Sequence, residues 1–255
     1  MPDKGVHFLD AKGPDGIRIY AIGDVHGRLD LLQKMHVAIA EDLGQYAGRD
    51  WRVIHLGDYV DRGRQSKGVL DFLAITCAAD ERMIALCGNH DIGFLDFLEY
   101  PSADGLFAHN GGWETARSYG VELNFRDSRA LRAGHAELVR AVPPEHISFL
   151  RELKRWVSFG DFFFCHAGIR PGTPLEDQNP DDLIWIRWDF LNYSGLHPKV
   201  IVHGHTPEAE VEVMPNRVNV DTGAYISGQL SALVIDGSEK ELLAASDNPS
   251  EGRDP

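Results

Sequence analysis

Short apolar runs alternate with helical patterns in the first hundred residues. Residues 17–22 predict a strand, and the helix after it is indicated by Leu32, Met35 and Ile39, which recur at helical spacing. The alternation continues with strands at 51–56 and 82–86 and helices at 69–77 and 91–98. Repeats of strand, helix and strand predict parallel pairing through right-handed crossovers.

Residues 100–155 differ from what precedes them and predict a helical insertion, interrupted at 111–112 by Gly-Gly and at 143–144 by Pro-Pro. Strands return at 162–165, 200–202, 210–220 (a predicted hairpin) and 229–235, and their close spacing favours antiparallel pairing. The ends, 1–16 and 245–255, are rich in small and polar residues and are expected to be flexible. The pattern predicts a single α/β domain over residues 1–255, with its core at about 17–244.

Composition narrows the functional classes. The chain has 255 residues, of which 43% are hydrophobic, so it can bury a full core. Its net charge is −14, which argues against nucleic acids and anionic membranes as partners, because such binding needs clustered Lys and Arg. Three cysteines, no apolar leader after Met1 and no apolar run near ~18 residues favour a cytoplasmic protein without a disulfide scaffold or a membrane span.

Polar residues with ligand chemistry follow five of the predicted strands. The five groups are Gly23-Asp24-Val25-His26-Gly27, Gly57-Asp58-Tyr59-Val60-Asp61-Arg62-Gly63, Gly88-Asn89-His90-Asp91, His166-Ala167-Gly168 and His203-Gly204-His205-Thr206-Pro207. In open α/β sheets, ligands bind beyond the carboxyl ends of the strands. We therefore expect these groups to converge on one crevice.

Two divalent ions suit this donor set, because carboxylate, imidazole and amide oxygen without thiolate are ligands for Mn, Fe or Zn. Asp58 is the natural bridging carboxylate, since two ions ~3.5–4 Å apart need a shared ligand. His203 would point to the same side as His205 in an extended segment and is an alternative ligand. The predicted ligands are Asp24, His26 and Asp58 for one ion, and Asp58, Asn89, His166 and His205 for the other.

Together these motifs resemble the calcineurin-like metallophosphoesterases. The unbroken Asp61-Arg62-Gly63 is similar to the phosphoprotein phosphatase branch in its compact bacterial and phage form, and the resemblance covers about residues 17–235. It implies a β-sandwich of mixed sheets flanked by helices, with two divalent ions, Mn foremost, at one edge. Pro207 stands where related nucleases have a further metal-binding His. Asp91 replaces the Glu of eukaryotic relatives, and either acid can cap the following helix.

The resemblance also implies roles for four further residues. His90 would protonate the leaving oxygen, while Asp61 orients its ring and keeps it charged. Arg62 would hold the phosphoryl oxygens, because a guanidinium fork matches phosphate. Arg187 resembles a second arginine that bacterial members supply after a Trp; the alternative is a surface ion pair with Asp181, Asp182 or Asp189.

The implied activity is hydrolysis of phosphoproteins by a hydroxide that bridges the two metal ions. The substrate would be a phosphorylated protein or peptide, carrying phosphoserine or phosphothreonine by family preference and phosphotyrosine in some relatives. A symmetrical dinucleoside tetraphosphatase is the main alternative, although that branch usually has Ala in place of Asp61. A catalytically inactive binding module would lack a ligand or His90, and neither is missing. The sequence leaves the oligomeric state open.

Overall fold

The computed structural model describes residues 5–46 and 48–247, and its strands form two five-stranded sheets. The first sheet has the order β10 (Glu239–Ser246), β9 (Gln229–Asp236), β1 (Ile17–Ile22), β2 (Asp50–His55) and β3 (Met83–Ala85). The second has the order β4 (Trp156–Phe159), β5 (Phe162–Cys165), β6 (Val200–His203), β8 (Arg217–Asn219) and β7 (Glu212–Val213). Both sheets are mixed, because β1, β2 and β3 are parallel while β9 is antiparallel to β1, and β5, β6 and β8 are parallel while β4 is antiparallel to β5.

Helices lie between and after these strands. They are α1 (Leu29–Gln45), α2 (Ser66–Ala79), α3 (Asn89–Glu99), α4 (Leu106–His109), α5 (Gly112–Ser118), α6 (Ser128–Ala141), α7 (Pro144–Glu152), α8 (Asp182–Trp185), α9 (Trp188–Leu191) and α10 (Ala224–Ser227), with a 3₁₀ turn at Leu175–Asp177. The architecture confirms the predicted α/β sandwich of mixed sheets with flanking helices.

Strict alternation of side chains along the strands builds the core in layers. On β1, Ile19 and Ala21 face the space between the sheets, while Tyr20 packs on the opposite side against the helices. Phe162 and Phe164 of β5 fill the same space between the sheets from the other side. Because successive residues of a strand point to opposite faces, one apolar run serves two cores.

The insertion at 100–155 is helical, as predicted, and contains α4, α5, α6 and α7. Helix α6 begins after Asp127, whose carboxylate accepts hydrogen bonds from the backbone N–H groups of Arg129 and Ala130. At the far end of the insertion, Lys154 forms a bridge with Leu86, next to β3. The insertion is therefore fixed to the first sheet at its end.

Three predictions about the late strands and the chain ends are wrong in part. The predicted hairpin exists as antiparallel β7 and β8, but β6 pairs in parallel with both of its neighbours. The expected flexible tail from 245 overlaps β10, which continues to Ser246; residues 248–255 lie outside the described residues. The expected loose lead-in is packed where it is described, because Phe8 and Ala11 are buried between the sheets; residues 1–4 are not among the described residues.

None of the helices in 5–46 and 48–247 is long and apolar enough to cross a membrane.

We expect Phe164→Ala to lower the free energy of unfolding by about 3–5 kcal/mol, because the ring is fully buried between the sheets and its loss leaves a cavity. Val37→Ala on α1, where the side chain is 58% exposed, should change it by less than about 0.5 kcal/mol. Urea denaturation of both variants in EDTA tests this. Equal, small effects would mean that the sheets are not packed as described.

Candidate active site

The structure brings the six predicted metal ligands together at the edge where strands of both sheets end. Asp24 and His26 follow β1, Asp58 follows β2, and Asn89 begins α3 after β3. His166 and His205 follow β5 and β6 of the second sheet. All six residues are buried. The site therefore exists only where the two sheets meet.

Asp58 lies at the centre of this group. Its Oδ2 is 3.4 Å from His26 Nε2, and its Oδ1 is 3.5 Å from His166 Nε2. Potential ligand atoms form two groups, one of His26, Asp58 and His90 and the other of Asp58, His166 and His205. Only Asp58 belongs to both, as a bridging carboxylate would.

The other two predicted ligands lie beside the second group. Asn89 presents Oδ1 to His166 Nε2 at 3.0 Å and to His205 Nδ1 at 2.9 Å. The Asp24 carboxylate accepts a hydrogen bond from the backbone N–H of His205 at 3.2 Å. His90, instead of Asp24, completes the group around His26.

Backbone contacts fix the orientation of two histidine rings. Nδ1 of His26 contacts the carbonyl oxygen of Val60 at 2.8 Å, and Nδ1 of His166 contacts that of Leu56 at 3.0 Å. A neutral ring that donates from Nδ1 has a free lone pair on Nε2. Nε2 of His26 is buried and has no hydrogen-bond partner. Both rings thus present an acceptor to a carboxylate oxygen, an arrangement that a cation would stabilise.

The buried carboxylates of Asp24, Asp58 and Asp221 place more negative charge in the site than its neighbouring cations offset. Burial and the nearby carboxylates of Asp221 and Asp58 raise the pKa of Asp24 well above its usual value. Burial also raises the pKa of Asp221, to about 6. Burial opposes charge on Asp58 too, but the surrounding imidazoles outweigh it and hold its pKa below the usual range. Divalent cations would reverse the shifts at Asp24 and Asp221.

The residues present fit a pair of divalent ions. The donor set contains carboxylates, imidazoles and one amide oxygen, the free Nε2 of His26 needs a partner, and the carboxylates need positive charge. His203 is not in either group: its Nδ1 contacts the carbonyl oxygen of Gly204, and its ring packs against Phe190. His203 therefore lies outside both groups of potential ligand atoms, although its Nε2 is also buried without a hydrogen-bond partner among the described residues.

Backbone strain in the described part of the chain is concentrated here. Its non-glycine residues with left-handed φ, between 42° and 68°, are all predicted site residues: His26, Asp58, Asp61, Arg62 and His205. This conformation costs an L-residue roughly 1–2 kcal/mol and persists where surrounding contacts impose it. The surrounding contacts therefore hold these five residues in a backbone conformation that is unfavourable for them in isolation.

Glycine is required where the backbone passes close to the carboxylates. A Cβ on Gly88 would lie 2.1 Å from Asp58 Oδ1, and a Cβ on Gly204 would lie 2.2 Å from Asp24 Oδ1. Neither position has room for a side chain, so the glycines of the third and fifth motifs let the strand ends approach the ligands.

His90 and Asp61 form a buried pair, with His90 Nδ1 2.6 Å from Asp61 Oδ2. Burial opposes charge on the ring, but the carboxylates of Asp58 and Asp61 outweigh it and raise the pKa of His90. Thr115 donates a hydrogen bond to Asp61 Oδ1 at 2.8 Å, and its hydroxyl accepts the backbone N–H of Asp61 at 2.8 Å. The insertion thus fixes the carboxylate that orients His90.

Two arginines flank the crevice. Arg62 Nη2 is 3.2 Å from His90 Nε2, and its guanidinium lies 4.6 Å from the ring centroid of Tyr225. Arg187 donates from Nε to His205 Nε2 at 3.0 Å. The alternative partners Asp182 and Asp189 are instead paired with Arg170, and no ion pair joins Arg187 to Asp181 within the described residues. Arg187 therefore lies beside the predicted ligands through its contact with His205, and its role towards phosphate stays a prediction.

Sequence reasoning missed two residues of the site, Asp221 and Thr115. Asp221 follows β8 as the predicted ligands follow their strands, and this position was the available signal. Asp91, which was expected to cap α3, accepts the backbone N–H groups of Asp58, Tyr59 and Gly88, so it also fixes the Asp58 loop. Nothing local marked Thr115, because its partner is 54 residues away.

We expect Gly88→Ala to weaken metal binding by about 10–100-fold, because the added methyl group displaces the carboxylate of Asp58. Gly105→Ala is a matched control: both glycines precede helices with similar backbone angles (φ −96°, ψ 170° and φ −85°, ψ 171°), but a Cβ on Gly105 meets nothing closer than 3.6 Å. Calorimetric titration with Mn²⁺ tests both variants. Wild-type affinity in Gly88→Ala would contradict the role of Asp58.

Comparison with known proteins agrees with this geometry. The chain is 28% identical over 249 residues to an asymmetrical bis(5'-nucleosyl)-tetraphosphatase PrpE from Geobacillus thermodenitrificans, covering 85% of this chain and 90% of that protein. The solved structure "Crystal structure of a putative diadenosine tetraphosphatase" matches with a TM-score of 0.63 at 19% identity, over 91% of this chain and 95% of that chain. A protein serine/threonine phosphatase from Saccharomyces cerevisiae matches with a TM-score of 0.51 at 15% identity, over 95% and 87%.

The two solved structures show the same fold. A family model, calcineurin-like phosphoesterase, matches residues 17–228, which contain all six predicted ligands. The chain therefore belongs to the calcineurin-like phosphoesterase family.

Proposed function

We propose that the chain is a phosphomonoesterase that acts on phosphoproteins, with phosphoserine and phosphothreonine as its first substrates and Mn²⁺ as its metal. The contact between His90 and Asp61 carries this proposal. A serine or threonine phosphate releases a strongly basic alkoxide, which needs a proton as the P–O bond breaks. A histidine kept charged by a buried carboxylate is suited to supply that proton.

Asp24, His26, Asp58, Asn89, His166 and His205 would hold the two metal ions. When bound, such ions make water acidic enough to act as a nucleophile near neutral pH and offset the charge of the phosphate. Arg62 and Arg187 flank the crevice and would orient the phosphoryl oxygens by charge-assisted hydrogen bonds, which strengthen as charge moves onto those oxygens.

The leaving oxygen receives its proton from Nε2 of His90. Nδ1 of the same ring faces Asp61, which fixes the ring so that Nε2 points into the crevice. Thr115 in turn fixes Asp61, because its hydroxyl contacts both the carboxylate and the backbone N–H of that residue. The phosphoryl group would therefore lie between Arg62, which binds its oxygens, and His90, which donates the proton.

We expect His90→Ala to lower kcat on phosphoserine peptides by about 10²–10⁴-fold, the usual value of general acid catalysis, and to lower it much less on para-nitrophenyl phosphate. Nitrophenolate is a weak base that leaves without a proton. His109→Ala, which removes an exposed histidine of the insertion, serves as the control and should match the wild type. Steady-state rates across aryl phosphates of graded leaving-group pKa test this, and an equal loss on every substrate would remove His90 from proton donation.

Dinucleoside tetraphosphate hydrolysis is a second candidate on the same centre. It is favoured by the name of the relative that is 28% identical over 85% of this chain. That relative is named for the asymmetrical reaction, whereas Asp61 argues only against the symmetrical branch. Asymmetrical cleavage of diadenosine tetraphosphate gives AMP and ATP, and symmetrical cleavage gives two ADP.

An assay with Mn²⁺ separates the two candidates. We expect hydrolysis of phosphoserine and phosphothreonine peptides, measured as released phosphate. Phosphotyrosine peptide and diadenosine tetraphosphate are assayed in parallel, and the products of the latter are resolved by chromatography. Release of AMP and ATP without hydrolysis of any phosphopeptide would replace the first candidate by the second. Release of ADP alone would contradict the argument from Asp61.

A further inference from the structure

A cavity of about 520 Å³ opens beside Arg62 and is lined by Arg62, Arg64, Trp113, Glu114 and Arg117. Arg62 also faces His90 at 3.2 Å, so one guanidinium borders both the cavity and the phosphoryl site. Small-molecule pockets have volumes of ~300–1,000 Å³. A substrate whose phosphoryl group is held by Arg62 can therefore extend into this cavity.

The cavity is basic although the chain as a whole carries a net charge of −14. Arg64 forms no hydrogen bond or ion pair within residues 5–46 and 48–247, although its charge acts on the Glu114 carboxylate of the same cavity. Among the described residues Arg117 forms an ion pair with Glu122, and both side chains are more than half exposed, so solvent screens that pair. The two guanidinium groups remain available to an anionic ligand.

An aromatic face stands beside these charges. Trp113 is 44% exposed at the start of α5, and the guanidinium of Arg117, one helical turn later, lies 5.4 Å from its ring centroid. An exposed indole next to arginine is a stacking surface for a nucleobase, because a base offers both a π-face and attached phosphate. The side chain of an acidic peptide would use the arginines but not the indole.

A buried acceptor completes the lining. Oε2 of Glu114 is buried and has no hydrogen-bond partner among the described residues. Buried polar atoms in proteins are nearly always hydrogen-bonded, so this oxygen is open to a donor from a ligand. The exocyclic amino group of a base such as adenine is a donor of the right kind.

We propose that this cavity binds the nucleoside part of a nucleoside phosphate, with the base stacked on Trp113, its amino group donating to Glu114, and further phosphates against Arg64 and Arg117. The inference rests on the proposed function only for the phosphoryl site at Arg62. It gives the second candidate a binding site for its nucleoside and names the side chains that would select it.

The test compares AMP with ribose 5-phosphate, which has the same phosphate ester and sugar but no base. Each is measured as a competitor of para-nitrophenyl phosphate hydrolysis and by calorimetry on the Mn²⁺-loaded full chain. In the wild type, AMP should bind at least ~10-fold more tightly than ribose 5-phosphate, the order of effect expected from base stacking. Inosine 5'-monophosphate, which lacks the amino group, should bind more weakly than AMP.

Trp113→Ala should remove the difference between AMP and ribose 5-phosphate, and Trp113→Phe should restore most of it. Trp51→Ala is the matched control, because Trp51 also carries an arginine stack, from Arg82 at 4.2 Å, but lies at the opposite end of β2 from the site. Ribose 5-phosphate affinity should be the same in all variants.

Equal affinity of the wild type for AMP and ribose 5-phosphate would overturn the proposal. So would a rise in KM for acidic phosphopeptides in Trp113→Ala with AMP unaffected, because the cavity would then hold a peptide. Equal binding of AMP and inosine 5'-monophosphate would overturn the role of Glu114. Absence of para-nitrophenyl phosphate hydrolysis would instead count against the proposed function, and calorimetry would still decide what the cavity binds.

Discussion

The burial of three carboxylates in one small volume is the constraint on which the active site depends. Asp24, Asp58 and Asp221 are each almost inaccessible to water, and an ionised carboxylate without compensation costs several kcal/mol to bury. Neighbouring imidazoles offset this for Asp58, whereas burial and the carboxylates of Asp221 and Asp58 raise the pKa of Asp24, and burial raises the pKa of Asp221. Divalent cations are the groups that resolve this conflict.

The packing of the two sheets against each other brings these side chains together. Asp58 follows a strand of the first sheet, and His166 follows a strand of the second. The distance between them is set by side chains such as Phe162 and Phe164, which pack between the sheets. Close packing resists small displacements, so the left-handed backbone at Asp58 and the short approach at Gly88 persist. The positions of the site residues therefore depend on the packing of the core between the sheets.

Sequence patterns predicted those parts of the core and the site that depend on residues near one another in the sequence. Each predicted ligand follows an apolar strand, and the strands have the expected alternation, so the convergence of Asp58 and His166 could be anticipated. Strand β10 could not be predicted in this way, because its sequence begins with the charged residues Glu239, Lys240 and Glu241. It forms a strand because it pairs with β9 at the edge of the sheet. The burial of Phe8 depends likewise on partners distant in the sequence.

Helix α5 contacts both the His90–Asp61 pair and the cavity beside Arg62. Thr115 faces inward and fixes Asp61, while Trp113 and Arg117 of the same seven-residue helix line the cavity beside Arg62. The turn before it is also fixed to the site, since the backbone N–H of Arg62 donates to the carbonyl of Gly111. If the cavity binds the outer part of a substrate as proposed, a change at Trp113 or Arg117 would alter that binding, while Thr115 would keep Asp61 in place. The predicted metal ligands lie outside this helix, so α5 joins the proposed selectivity to the His90–Asp61 pair and not to the metal centre.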